Sequence, residues 1–376
     1  MQAPVKRSPV QAVALVLLAA VLLCALAMAG LAARRAGFAH PGPLAALLDG
    51  WVGWDSHWYL QIARDGYFYR PGEQSSVAYF PLYPLAMRGL MALGLAPFVA
   101  GALISLASGV GAVLVFTRWA QTRAAPEAAR DGGLLLALYP FAFFLSGVVY
   151  GDSLFLLLVV SSFLLLERGQ LVAAVLVAAL ATAARPVAPA LVLGLLARRL
   201  EWKRERGERW SAWDVLPVFA AAGFLLYVLY QARTFGEPFA FVETQGSPGW
   251  DQAPGPRTWF KYVWFERMFP PQSAGIFVRH LAHAAVTLGA LALVVPTVKR
   301  LGWGYGLYAL AVVGLPALSS KDFMGMGRYL LAAFPLFLTL ALLVRERPRL
   351  RLPLLVCSGL ALVFLAGAFG ADIYVS

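Results

Sequence analysis

Long apolar runs, cut at intervals by Gly, Pro and clustered charge, constrain this chain more than any other feature. About eleven can be marked off, at 10–33, 97–118, 132–149, 153–167, 170–184, 186–198, 213–232, 280–298, 303–318, 328–344 and 352–371. A helix needs about 20 apolar residues to cross a bilayer. Only a structure that pairs its own backbone groups survives there, because hydrocarbon offers them no water. The composition agrees: 60% hydrophobic and 13% charged, against about 45–50% and about 25% in ordinary soluble domains. The expected fold is an all-α polytopic membrane protein, one transmembrane domain over residues 1–376 with about eleven helices. The runs at 153–167, 170–184 and 186–198 are short, and are expected to be tilted, paired into hairpins or not fully spanning.

The formal net charge is +12. The basic residues sit at the ends of apolar runs and build no continuous basic face, which excludes nucleic acid as a partner. With the N-terminus placed in the cytoplasm, 18 of the 31 Lys and Arg fall in short cytoplasmic connections; the exceptions Arg34 and Arg35 lie outside. The chain is therefore expected to run N-in, C-out, with two large external segments at about 34–96 and 233–279. Lys6 and Arg7 precede a run from Val10 to about Ala33, and Ala27-Met28-Ala29 resembles a cleavage site. That run exceeds the roughly 7–15 residues of a signal-peptide core, so it reads as an uncleaved first span. Cys24 and Cys357 lie inside apolar segments and read as lipid-embedded thiols.

Against this background "WDSHWYLQIARDGY" (54–67) is out of place. It predicts a short helix with Asp55 as N-cap and Gly66 as its stop. Trp51, Trp54, Trp58, Tyr59 and Ile62 fall on one side, as in a helix lying at the headgroup level. His57, Arg64 and Asp65 add polar groups, and "YFPLYP" (79–84) fixes the chain with two prolines before the next apolar stretch. Rigid loops with clustered polar groups are how sites are built on a scaffold. The second external segment carries "FGEPFAF" (235–241), "SPGW" (247–250) and "PGPRTWF" (254–260), composition suited to an ordered surface loop.

Four more polar residues stand at the external edge: Asp152 in "YGDSLF", Arg185 before Pro186, and Lys321 and Arg328 in "SSKDFMGMGR" (319–328). Asp152 can orient a substrate, pair with an arginine, or cap the helix starting at Ser153. Arg185 and Arg328 can hold a phosphate or snorkel to headgroups. Asp65 and Asp322 read as solvated. Of His40, His57, His280 and His283, only the last two have ligand-like spacing. No HExxH accompanies them, so they read as part of a charged helix face, and no metal is expected. No GxxxxGK[ST] loop is present for a nucleotide.

The 54–67 segment followed by "YFPLYP" resembles the first external loop of the PIG-V family, the GPI mannosyltransferase 2-like enzymes and their bacterial relatives. The similarity continues in order through "YPFAFFLSGVVYGDSLFLLLVVSSFLLLERG" (139–169), "ATAARPVAPAL" (181–191), "FGEPFAF" and "GRYLLAAFPLF" (327–337). The resemblance implies a GT-C type fold and an inverting hexosyltransferase, with mannose as the family's sugar. The donor would be a polyprenyl-phosphate sugar and the acceptor a lipid, glycan or protein, met at the extracytoplasmic face of the plasma membrane. No cofactor is implied. Asp55 matches the family's first-loop aspartate and would be the catalytic base. Arg185, Arg328 and Lys321 would bind the donor phosphate; Trp54, His57, Trp58, Tyr59, Tyr150 and Asp152 would contact substrate. The loops are shorter than in eukaryotic members, which argues against a GPI precursor as acceptor. The alternative is a multi-pass transporter or flippase for a lipid-linked sugar, lined by Asp152, Arg185 and Arg328. Such proteins usually carry matching halves, and none is visible here.

Overall fold

The computed structural model describes residues 8–36, 49–270 and 273–375. Lys6, Arg7, His40 and the side chain of Arg35 lie outside the described residues. The described residues form helices and turns, with no β-strand. The helices are α1 (Pro9–Ala36), α2 (Ser56–Asp65), α3 (Leu82–Met91), α4 (Pro97–Gln121), α5 (Pro126–Ala137), α6 (Asp152–Glu167) and α7 (Leu171–Thr182). There follow α8 (Ala188–Glu205), α9 (Ala222–Phe235), α10 (Tyr262–Met268), α11 (Ala274–Leu301), α12 (Trp303–Ser319), α13 (Pro335–Arg345) and α14 (Pro348–Gly370). Single helical turns lie between several of them, and a 3-10 segment, Ala212–Ala221, leads directly into α9.

Every expected apolar run is at least partly helical, and the helices differ in length. Among the described residues five helices are long and apolar enough to cross a membrane: Pro9–Arg34, Pro97–Gln121, Ala212–Phe235, Ala274–Leu301 and Pro348–Gly370. A sixth forms if Met326–Ala332 and α13, bent by 89° at their junction, are one broken span. Where a run is not one continuous helix, the causes are local. The run at 132–149 was expected to be one helix, yet α5 ends at Ala137. Pro140 lacks the N–H a helix needs, and Gly147 takes φ +100°. The chain crosses 138–151 as turns around a 3-10 segment, Ala142–Leu145. Likewise Pro335 starts α13 rather than prolonging the turn before it.

The bundle is held by α4 on α6, α8 on α12, α1 on α14, α11 on α12 and α5 on α13. Without water to expel between them, helices in lipid associate by close packing, which small residues permit. Gly194 on α8 shows it: a Cβ there would lie 2.6 Å from Tyr308 on α12. Cys24 faces this core and is buried, contrary to the lipid-embedded reading; Cys357 is exposed. At the end of the bundle away from α2, buried charges tie the helices together. Glu167 accepts from Arg198 at 2.6 Å and from the Tyr305 hydroxyl at 2.7 Å. Arg198 also meets Glu201 and Glu205, at 2.9 and 3.0 Å. Glu201 accepts the first backbone N–H groups of α12, from Trp303 at 2.6 Å and Gly304 at 3.2 Å.

Candidate active site

The polar segment folds as expected into α2, and Gly66, at φ +90°, ends it. Asp55 stands at the N-cap position, but its side chain makes no capping bond. A capping residue is normally extended, whereas Asp55 is helical at φ −64°, ψ −18°. The distortion falls one residue earlier: Trp54 has φ +51°, unusual for a side chain of its size. Tyr150 holds this turn from across the bundle. Its hydroxyl accepts the Asp55 N–H at 3.1 Å and donates to the Gly53 carbonyl at 3.3 Å.

The Asp55 carboxylate is thereby turned away from its own helix and toward an arginine. Oδ2 accepts from Arg328 Nη1 at 2.9 Å, and Oδ1 from the Tyr79 hydroxyl at 3.1 Å. Arg328 is 7% exposed and therefore does not snorkel to the surface. Its guanidinium lies over the rings of Tyr150, Tyr329 and Phe144, at 4.8, 5.2 and 5.5 Å. Its Nε stands 3.9 Å from Asp152 Oδ1. That same oxygen accepts from Arg185 Nη1. Asp152 is the first residue of α6, whose N-cap is Gly151, so the capping role is not its own. Asp55, Arg328, Asp152 and Arg185 thus form a row of alternating charge.

Arg328 owes its place to the turn around it. Gly327 donates its N–H to His283 Nδ1 at 3.2 Å and accepts from the Tyr139 hydroxyl at 2.9 Å. A Cβ on Gly327 would come within 2.3 Å of the Phe141 ring. The other ring nitrogen of His283 bonds the Val375 carbonyl at 3.3 Å, which makes Nε2 the donor. His280 and His283 are each 1% exposed, so the expectation of a charged helix face is wrong: on α11 they turn inward to partners. Asp322 is not solvated either. It is 3% exposed, bonded to Arg267, and 3.6 Å from His280. Burial alone would raise its pKa, but these partners and the Met324 N–H hold the carboxyl below its ordinary value. Among the described residues no group of three or more His, Cys, Asp or Glu could hold a metal.

Arg185 and Tyr329 open onto a cavity of about 440 Å³. Its walls are mostly apolar, including Phe155, Val187, Val312 and Leu315, with Ser320 and Gln252 among the few polar residues. The segment after α2 and the segment after α9 meet on the Asp55 side. Ser75 and Glu73 bond Thr244, and Tyr69 bonds Glu243. Trp58 stacks on Tyr79 at 5.7 Å and meets Trp250 edge-on at 5.7 Å. Tyr59 is buried against Tyr79 and Tyr83, at 5.1 and 5.0 Å. Burial, and then the charge of Asp55, pushes the Tyr79 hydroxyl well above its ordinary pKa, so it stays a donor.

The other expected residues stand apart from the charge row. His57 is exposed, and Trp54 packs edge-on against Tyr374 at 4.8 Å. Lys321 pairs with Asp251 at 3.2 Å, not with a member of the row. Tyr79, Trp250, Tyr329 and Tyr374 were not singled out from sequence. Tyr79 opens "YFPLYP" and Trp250 closes "SPGW", so both lay inside segments already marked; Tyr374 carried no signal.

Comparison with known proteins gives this geometry a family setting. Residues 42–197 match the mannosyltransferase (PIG-V) family. That stretch carries Asp55, Tyr79, Tyr150, Asp152 and Arg185, and stops well short of Arg328. The PIG-V resemblance read from the motifs is borne out there. No curated protein matches the chain. Among solved structures, the archaeal oligosaccharyltransferase AglB from Archaeoglobus fulgidus, in complex with an inhibitory peptide and a dolichol-phosphate, aligns at 13% identity and a TM-score of 0.46. The alignment covers 96% of this chain and 56% of that one, so this chain spans just over half the length of its neighbour.

Proposed function

We propose that this chain is a multi-pass membrane glycosyltransferase of GT-C type. It moves a hexose, mannose on the family match, from a polyprenyl phosphate to an acceptor hydroxyl on the extracytoplasmic face. The observation that carries the reading is the row Asp55–Arg328–Asp152–Arg185, whose last member stands at an apolar cavity. A lipid phosphate needs a cation for its head and an apolar channel for its tail, and the cavity supplies both. In the reaction Asp55 takes the acceptor's hydroxyl proton while the oxygen's electron pair attacks the anomeric carbon. The bond from that carbon to the phosphate oxygen breaks with inversion, and the lipid phosphate leaves with the electron pair. Arg185 and Arg328 take up the developing charge. Tyr79 and Tyr150 fix the base, and Trp58 and Trp250 border the approach of the acceptor.

The test uses purified protein, synthetic polyprenyl-phosphate-mannose and membrane extract as acceptor source. Wild type is expected to transfer mannose and release polyprenyl phosphate. Asp55→Asn should lower turnover by about 10²–10⁴-fold, the usual worth of a positioned acid or base. Equal turnover by a folded Asp55→Asn variant would remove Asp55 from the chemistry.

A further inference from the structure

We infer that Asp152 is a positioning residue through which a lipid phosphate at Arg185 releases Asp55 from Arg328. This rests on the transferase reading and adds a coupling to it.

Two arginines compete for one oxygen. Asp152 is 5% exposed, and its Oδ1 is bonded by Arg185 and approached by Arg328 Nε at 3.9 Å. That Nε has no hydrogen-bond partner although it is buried. The two guanidinium groups also share a ring, with Arg185 4.8 Å and Arg328 5.2 Å from the Tyr329 centroid. Arg328 spends its remaining capacity on Asp55 at 2.9 Å and weakly on the Tyr329 hydroxyl at 3.5 Å. Asp55 therefore has both oxygens engaged, one by Arg328 and one by Tyr79, and must shed a donor before it can meet an acceptor's hydroxyl.

A phosphate arriving through the cavity meets Arg185 first, because Arg185 lines it. It offers Arg185 a stronger anionic partner than Asp152. A buried carboxylate deprived of its cation is strongly disfavoured, and the nearest free donor is Arg328 Nε. Closing 3.9 Å to an ordinary charge-assisted bond takes a shift of about 1 Å. That movement draws Nη1 off Asp55 Oδ2. The row is neutral before the phosphate arrives and net negative after it, and Asp55, left with Tyr79 alone, is the carboxylate that gives up its cation. The base is released when the donor's phosphate is in place and is engaged when it is not.

The experiment labels carboxyl groups of the purified full chain with a carbodiimide and an amine. Asp55 is quantified by peptide mass spectrometry, and the exposed Asp65 serves as the internal reference. Farnesyl phosphate is the probe, and its binding is followed separately by calorimetry. In wild type, saturating farnesyl phosphate is expected to raise Asp55 labelling at least about fivefold, as for a ligand that reverses a two-state preference. Asp152→Asn should bind the probe yet show no rise, and Asp152→Glu should restore it. A merely structural role for Asp152 would not produce that split. Binding without a rise in wild type, or an equal rise in Asp152→Asn, would overturn the coupling and leave the transferase reading standing. Absence of binding in wild type would overturn both. Inorganic phosphate at the same concentration should leave labelling unchanged; an equal rise would overturn the assignment of a lipid.

Discussion

Removing one buried hydroxyl separates the positioning of Asp55 from the general stability of the bundle. In Tyr150→Phe the ring that faces Arg328 remains, and volume hardly changes. What is lost is the acceptor for the Asp55 N–H at 3.1 Å and the donor to the Gly53 carbonyl at 3.3 Å. Unpairing such groups costs about 1–3 kcal/mol. The turn it leaves behind already contains Trp54 at φ +51°, a conformation that persists only when its surroundings impose it. Asp55 should therefore drift, and a misplacement on the 1 Å scale costs about 100-fold in rate. We expect kcat in the mannose-transfer assay to fall about 10- to 100-fold with KM little changed. Tyr83→Phe is the control. Tyr83 is equally buried, and its hydroxyl contacts the Gly101 carbonyl and Ser105 Oγ, both at 2.8 Å, but not Asp55. It should lose comparable thermal stability in detergent and keep its kcat. Equal kcat losses in the two variants would refute the positioning argument.

Two further outcomes follow from the same contacts. Gly327→Ala puts a methyl within 2.3 Å of the Phe141 ring; overpacking of this kind costs about 1–3 kcal/mol, and the shift of Arg328 should abolish transfer, read by thermal unfolding and by turnover. Asp322 titrates below its ordinary value in the folded chain, so its ionic link contributes fully above the unfolded pKa of about 4 and is lost as pH falls through the lower folded value. The stability advantage of wild type over Asp322→Asn, measured by thermal unfolding, should be constant near neutral pH and vanish in acid; an advantage that grew in acid would contradict the assigned sign.

The parts legible in the sequence were those with local signals. Hydropathy marked the helices, Gly66 marked the end of α2, and the concentration of polar residues between 54 and 67 marked the candidate site. Arg185 and Arg328 stood out because charge at the edge of an apolar run requires a reason. The partnerships were not legible. Asp55 flanks a helix in sequence, so capping was the natural local reading, and only the folded chain offers it Arg328 instead. Asp322 and His280 looked solvated because each lies at an edge of an apolar run, yet they find each other across the bundle and bury together. The helix expected at 132–149 failed for a different reason. A hydropathy window averages over Pro140 and Gly147, whereas the backbone does not.

The bond between Asp55 and Arg328 joins residues 273 positions apart. During synthesis the Asp55 turn is therefore made long before its partner exists. Asp152 and Arg185 can meet early, and together they are neutral. Asp55 must wait for the turn at 327–328, whose own placement depends on His283. The last third of the chain thus completes the charge row: a truncated or stalled product would carry the whole PIG-V-matching segment and still lack Arg328 and the His283 that holds its turn.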